Sequence, residues 1–109
     1  MNNINNEEIN ELSSLEQSSH QLLTQRQVFE SQLIEVESAL QEIETTNKTY
    51  KIIGHVMVLY EKDKLKEELN SKKEILNLRI KNIIKQEEKL KEKSNNLRKK
   101  VMTDLKKEE

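Results

Sequence analysis

A seven-residue apolar repeat runs through both halves of this chain, and it restricts the fold more than any other feature. Stepping by three and then four from Leu12 gives Leu12, Leu15, Ser19, Leu22, Arg26, Phe29, Leu33, Val36, Leu40 and Ile43, of which eight of ten are apolar. A narrow apolar seam held over four repeats predicts a helix that coils against another helix. In the second half Leu69, Leu76, Ile83, Leu90 and Leu97 stand seven apart, interleaved with Lys73, Ile80, Glu87, Ser94 and Val101. Neither stretch can bury its own stripe, so each requires a partner.

The remaining residues leave little room for another architecture. Charged residues are 36% of the chain and hydrophobic ones 33%, against about 25% and about 45–50% in ordinary globular domains. Such a chain cannot build a conventional core. Glu, Lys, Leu, Arg and Ala make up 52 of the 109 residues, close to the share that marks long helices. There is no Pro and a single Gly, Gly54, so almost nothing interrupts a helix. We expect one domain over residues 1–109, with a first helix over 6–46 and a second over 63–107, each about 60 Å long. Asn5 with Glu8 and Ser13 with Glu16 both have capping-box spacing for the start of the first helix, the earlier being preferred. Asp63 is the expected N-cap of the second.

Between the repeats the texture changes. Residues 50–60, Tyr-Lys-Ile-Ile-Gly-His-Val-Met-Val-Leu-Tyr, are β-branched and aromatic and break the helical period. Two short runs around Gly54-His55 predict a β-hairpin, with glycine supplying the unusual backbone angle of a tight turn. An isolated two-stranded hairpin is marginal in water. With no other strands in the chain, these must find partners in other subunits, so the sequence implies an oligomer.

Charge indicates how the helices pair. Residues 1–46 carry a net charge of −8 and residues 47–109 a net of +7. Oppositely charged helices joined by a short hairpin are expected to fold back antiparallel, and the first helix is discouraged from pairing with its own copy. The basic run Lys89, Lys91, Lys93, Arg98, Lys99, Lys100, Lys106 and Lys107 is broken by acidic residues and has no interleaved aromatics. It reads as a solvated helix face, not as a nucleic-acid surface.

Several function classes are disfavoured. The absence of Cys removes disulfides and thiol chemistry. His20 and His55 lack ligand spacing with other groups, no nucleophile elbow surrounds any Ser, and one Gly cannot make a phosphate loop. We expect no enzyme, no cofactor and no metal. Met1–Asn10 lacks the apolar core of a signal peptide, and the longest apolar run is far too short to span a bilayer. A protein without a membrane segment, resident in the cytoplasm, is expected.

The order helix, single hairpin, helix, with Tyr50-Lys51-Ile52-Ile53-Gly54-His55-Val56-Met57-Val58 at its centre, resembles the β-type subunits of prefoldin, especially the archaeal form. Glu61-Lys62-Asp63-Lys64-Leu65-Lys66-Glu67-Glu68-Leu69, Leu78-Arg79-Ile80, Lys85-Gln86-Glu87-Glu88-Lys89-Leu90 and the stretch from Gln32-Leu33 to Ala39-Leu40-Gln41-Glu42-Ile43 fit the same family. The likeness spans nearly the whole chain. His55 departs from the small or apolar residue usual after the glycine.

The resemblance implies a mainly α fold: a long antiparallel coiled-coil hairpin with one β-hairpin between the helices, assembling into an intersubunit β-barrel platform. It implies a holdase chaperone built as a hetero-hexamer of two α-type and four β-type subunits. Such a hexamer binds non-native polypeptides at its coiled-coil tips and passes them to a group II chaperonin without using ATP. On that reading Tyr50, Ile52, Val56, Val58 and Tyr60 carry subunit assembly, and Ile4, Ile9, Leu12, Val101, Met102 and Leu105 meet the client. Ile34, Ile75 and Leu78, which also fall off the seam, are expected to touch a neighbouring subunit. The competing reading is a coiled-coil adaptor for one specific folded partner.

Overall fold

The computed structural model describes residues 6–108. Ile4 and the capping candidate Asn5 lie outside that range. The element order is α1 (Asn6–Glu44), β1 (Thr49–Ile53), β2 (Val56–Tyr60) and α2 (Lys62–Glu108). Ser13 lies inside α1, which excludes the later of the two expected helix starts.

The element ends differ from expectation by one or two residues, each for a local reason. The first helix stops at Glu44 rather than residue 46. The amides of Thr45 and Thr46 bond back to the carbonyls of Glu42 and Ile43, both at 3.2 Å. Both threonine hydroxyls also donate to the Glu42 carbonyl, at 3.1 and 2.8 Å. The last turn is thereby tightened and its free carbonyls satisfied. The hairpin begins at Thr49, one residue before the expected start, because Thr49 pairs with Tyr60.

The second helix begins at Lys62, and the carbonyl of Glu61 accepts its first bond, from the amide of Leu65 at 2.9 Å. Glu61 therefore occupies the cap position, because only this one residue separates strand from helix. Asp63, expected there, instead lies in the first turn, where its charge opposes the positive end of the helix dipole.

The chain divides into two compact units, one joining residues up to Gln27 to those from Asn82 onward, the other spanning Val28–Lys81. In the second unit Phe29, Leu33, Val36, Leu40 and Ile43 of α1 and Leu69, Leu76 and Ile80 of α2 are at least half-buried, as the heptad steps require. Leu76 is the most enclosed, at 2% exposure. The guanidinium of Arg79 lies 5.5 Å from the Phe29 ring centroid, and Lys66 pairs with Glu44. These two contacts run in opposite directions along α1 and α2, so the helices pair antiparallel within this unit.

The first unit follows the same seam with different chemistry. Its apolar seam residues, Leu12, Leu15, Leu22, Ile83, Leu90, Leu97 and Val101, alternate with Glu8, Ser19, Arg26, Glu87 and Ser94. Two of the exceptions answer each other: Arg26 Nε donates to Glu87 Oε1 at 2.7 Å, with both side chains about three-quarters buried. Arg98 pairs with Glu16 and Lys100 with Glu8, at 2.8 and 2.9 Å. The pairs fall in reverse order along the two helices, so this unit is antiparallel as well. Glu8 holds the Lys100 ammonium above its ordinary range by accepting its hydrogen bond.

A packing prediction follows from the second unit. Leu76→Ala removes the most enclosed side chain and is expected to destabilise the chain by about 2–5 kcal/mol. Leu78→Ala, at an exposed position, should stay within about 0.5 kcal/mol of wild type. Urea denaturation followed by circular dichroism measures both, and equal losses would contradict the seam assignment.

Candidate assembly interface

The hairpin is built on a two-residue turn. Gly54 has φ +63°, and among the described residues no other takes positive φ, the pattern of a type II′ turn with glycine at its first central position. A Cβ on Gly54 would meet nothing within 4 Å. Backbone conformation, rather than lack of space, demands the glycine. The turn fixes the register as Thr49↔Tyr60, Tyr50↔Leu59, Lys51↔Val58, Ile52↔Met57 and Ile53↔Val56.

That register sorts the side chains into two faces, because successive strand residues point to opposite sides. One face carries Tyr50, Ile52, Met57 and Leu59, exposed at 51%, 69%, 65% and 64%. The other carries Thr49, Lys51, Ile53, Val56, Val58 and Tyr60. At its base Thr49 is buried and Lys51 and Tyr60 are half-buried, while Ile53, Val56 and Val58 are exposed. Among the described residues the sheet has two strands only, so the outer edges of both strands are unpaired. Seven large apolar side chains on ten strand residues thus stand in solvent on this chain alone. So much exposed apolar surface beside open edges marks an interaction site.

The expected assembly residues divide between the faces. Tyr50 and Ile52 lie on the fully apolar face, and Val56 and Val58 on the opposite one. Tyr60 is tied to the start of α2, its hydroxyl donating to Glu68. Met57, Leu59 and Ile53 were not among the residues the sequence singled out. Strict alternation counted outward from Gly54-His55 was the signal that would have included them. Lys51 Nζ reaches the same Glu68 carboxylate at 3.1 Å. The two donors, Tyr60 foremost, hold Glu68 below the ordinary carboxylate range, and the carboxylate in turn raises the Tyr60 phenol.

The expected client residues also separate. Leu12 and Val101 sit half-buried on the seam, whereas Ile9, Met102 and Leu105 are exposed; Ile4 lies outside the described residues. Each of the exposed three directly follows a seam residue: Glu8, Val101 or Asp104. In an antiparallel pair those positions fall on one flank, so Ile9, Met102 and Leu105 form an apolar strip along a single side of the first unit. A groove of about 670 Å³ runs beside the seam in the same unit, with Leu22 and Leu90 among its lining and Gln25, Gln86, Lys89 and Lys93 around them. A second groove takes in Ser19 and Ser94. Small residues at seam positions were the sequence signal for the second of these.

In the second unit Ile34, Ile75 and Leu78 are exposed, as their off-seam positions require. Among the described residues no helix is long and apolar enough to cross a membrane. No cluster of three His, Asp or Glu could hold a metal ion there either.

Comparison with known proteins agrees with this architecture. The family model for prefoldin subunits matches residues 6–108. The chain is 38% identical over 93 residues to the prefoldin subunit beta of Sulfurisphaera tokodaii, covering 83% of this chain and 74% of that one. It is 36% identical over 85 residues to the corresponding protein of Archaeoglobus fulgidus, covering 75% and 73%. The crystal structure of the prefoldin beta subunit from Thermococcus strain KS-1 superimposes with a TM-score of 0.85 at 32% identity, covering 94% of this chain and 96% of that one.

The chain therefore belongs to the prefoldin subunit family, as a prefoldin-type chaperone subunit of mainly helical fold. Within that family its likeness is to the β type, as the single hairpin leads one to expect.

Glu68 gives a pH prediction. Its carboxyl lies below the ordinary value of about 4.3 in the folded chain. The stabilisation it provides is therefore complete above that pH and is lost as pH falls through the lowered folded value. Glu68→Gln should lower Tm at neutral pH, and the gap to wild type should close as the solution is acidified below pH 4. A gap that stays constant across the titration would show that the Glu68 charge contributes nothing.

Proposed function

We propose that this chain is a β-type subunit of a hetero-hexameric holdase, assembled with two α-type subunits and three further β-type copies. The observation that carries the reading is the hairpin: an apolar face of Tyr50, Ile52, Met57 and Leu59 beside two open strand edges. In this assembly the hairpins of all six subunits pool into an intersubunit β-barrel platform. Pooling pairs the edges and buries the faces, which a single chain has no means of doing.

The helix ends that carry the termini then serve as coiled-coil tips. Ile9, Met102 and Leu105 form the client contact there, with Ile4 as a further member. Leu12 and Val101 support it from the seam. Their chemistry suits non-native polypeptides: apolar, and in the case of methionine adaptable in shape. Client transfer proceeds to a group II chaperonin. No step draws on ATP or on catalysis by this chain, and the assembly works in the cytoplasm.

Two experiments test the reading. Co-expressed with a prefoldin α subunit from the same source, the wild-type chain should give a native mass of four copies with two of the partner. Leu59→Asp should abolish that species while leaving the helical circular dichroism unchanged. A stable homodimer indifferent to the α subunit would instead favour a coiled-coil adaptor.

The triple variant Ile9→Ser, Met102→Ser, Leu105→Ser should assemble normally yet lose most of its ability to suppress client aggregation in light scattering. Undiminished suppression would remove the strip from the client site.

A further inference from the structure

The hairpin is fastened to the helices by polar chemistry rather than by a buried core. Of its ten strand residues only Thr49 is buried, and its hydroxyl donates to the Tyr60 carbonyl at 2.7 Å, locking β1 to β2 at the base. Glu68, one turn and a half into α2, then holds both strands through one carboxylate. Its Oε1 accepts from the Tyr60 hydroxyl of β2, and its Oε2 accepts from Lys51 Nζ of β1 at 3.1 Å. The register places Lys51 and Tyr60 on the same face. The ammonium groups of Lys51 and Lys64 lie 5.0 and 5.3 Å from the Tyr60 ring centroid, within cation–π range, so the ring is gripped as well as its hydroxyl.

This arrangement resolves a physical conflict. Hydrophobic attraction has no preferred direction. A hairpin so apolar, joined to α2 by Glu61 alone, would gain by lying against its own helices and covering its apolar face. Hydrogen bonds to a charged acceptor are directional and strong, and here they are made by the opposite face.

We propose that Glu68, Tyr60 and Lys51 form an orienting clamp that holds the hairpin with its Tyr50–Ile52–Met57–Leu59 face outward and ready to receive neighbouring subunits. Tyr60 is then a positioning residue, acting on assembly through the set of the hairpin and not as a contact within the platform. The inference rests on the assembly reading given above and adds to it the means by which one chain is made competent.

The test uses the full chain titrated with the α subunit, with assembly followed by native mass spectrometry and the free chain followed by thermal circular dichroism. Tyr60→Phe and Glu68→Ala should weaken assembly about tenfold or more, the scale of one lost charge-assisted hydrogen bond, while the melt of the free chain falls only slightly and far less than in Leu76→Ala. Glu68→Gln keeps an acceptor for the tyrosine and should recover much of the affinity at neutral pH.

Leu76→Ala serves as the control for simple destabilisation, because it lowers the melt without touching the clamp. Wild-type affinity in Tyr60→Phe would overturn the proposal. So would a loss of assembly that merely tracks the loss of melting temperature along the line set by Leu76→Ala. Failure of the wild-type chain to assemble at all would strike at the assembly reading itself and take the clamp down with it, an outcome visible before any variant is examined.

Discussion

Everything in this molecule follows from how narrow its interior is. Among the described residues the apolar side chains that become buried, Val36, Ile43, Leu76 and Ile83, all lie on the stripes along which α1 and α2 meet. A stripe of that width satisfies two helices and nothing more. It offers no second layer against which a sheet could rest, so the apolar residues between the helices remain outside. The exposed hairpin is thus the counterpart of the thin seam, since both come from a sequence with too few apolar residues to make a core and a strand segment too apolar to live in solvent.

The seam is uneven, and its irregularities do separate jobs. Where it is apolar but for Lys73, in the second unit, it supplies stability. Where it is interrupted, in the first, Arg26 and Glu87 occupy facing seam positions and satisfy each other. A largely buried charged pair of this kind adds little net stability, because desolvation offsets the attraction. It does penalise any slip of one helix along the other that would leave either charge facing leucine. Ser19 and Ser94 fill less space than leucine and line a groove beside the seam, so this part of the pair trades close packing for accessible surface.

Much of this was legible in the sequence because the heptad is a rule about position and not about context. Every seam residue from Leu12 to Ile43, and every one from Leu69 to Val101, is at least half-buried. Gly54 announced its turn equally plainly, since one residue type dominates that backbone angle. The parts that were missed depend on distances the sequence does not contain. The pairing of Arg26 with Glu87 spans 61 positions and is set by where the hairpin returns the chain. The bond from the Tyr60 hydroxyl to Glu68 was likewise visible only in the fold. The helix ends slipped by a residue or two because threonine hydroxyls and a one-residue connection competed with the periodic signal.

The uncovered hairpin also has a meaning for the life of the chain before it meets other subunits. Its two helices satisfy each other within the chain, whereas the hairpin does not. It holds unpaired edges and apolar side chains toward whatever is nearby, the condition under which strands join indiscriminately. The hazard scales with the time a copy spends alone, and that time is set by the supply of complementary subunits rather than by the chain's own folding free energy. In the proposed assembly, balanced synthesis of the different subunits is as much a requirement of this fold as its leucines.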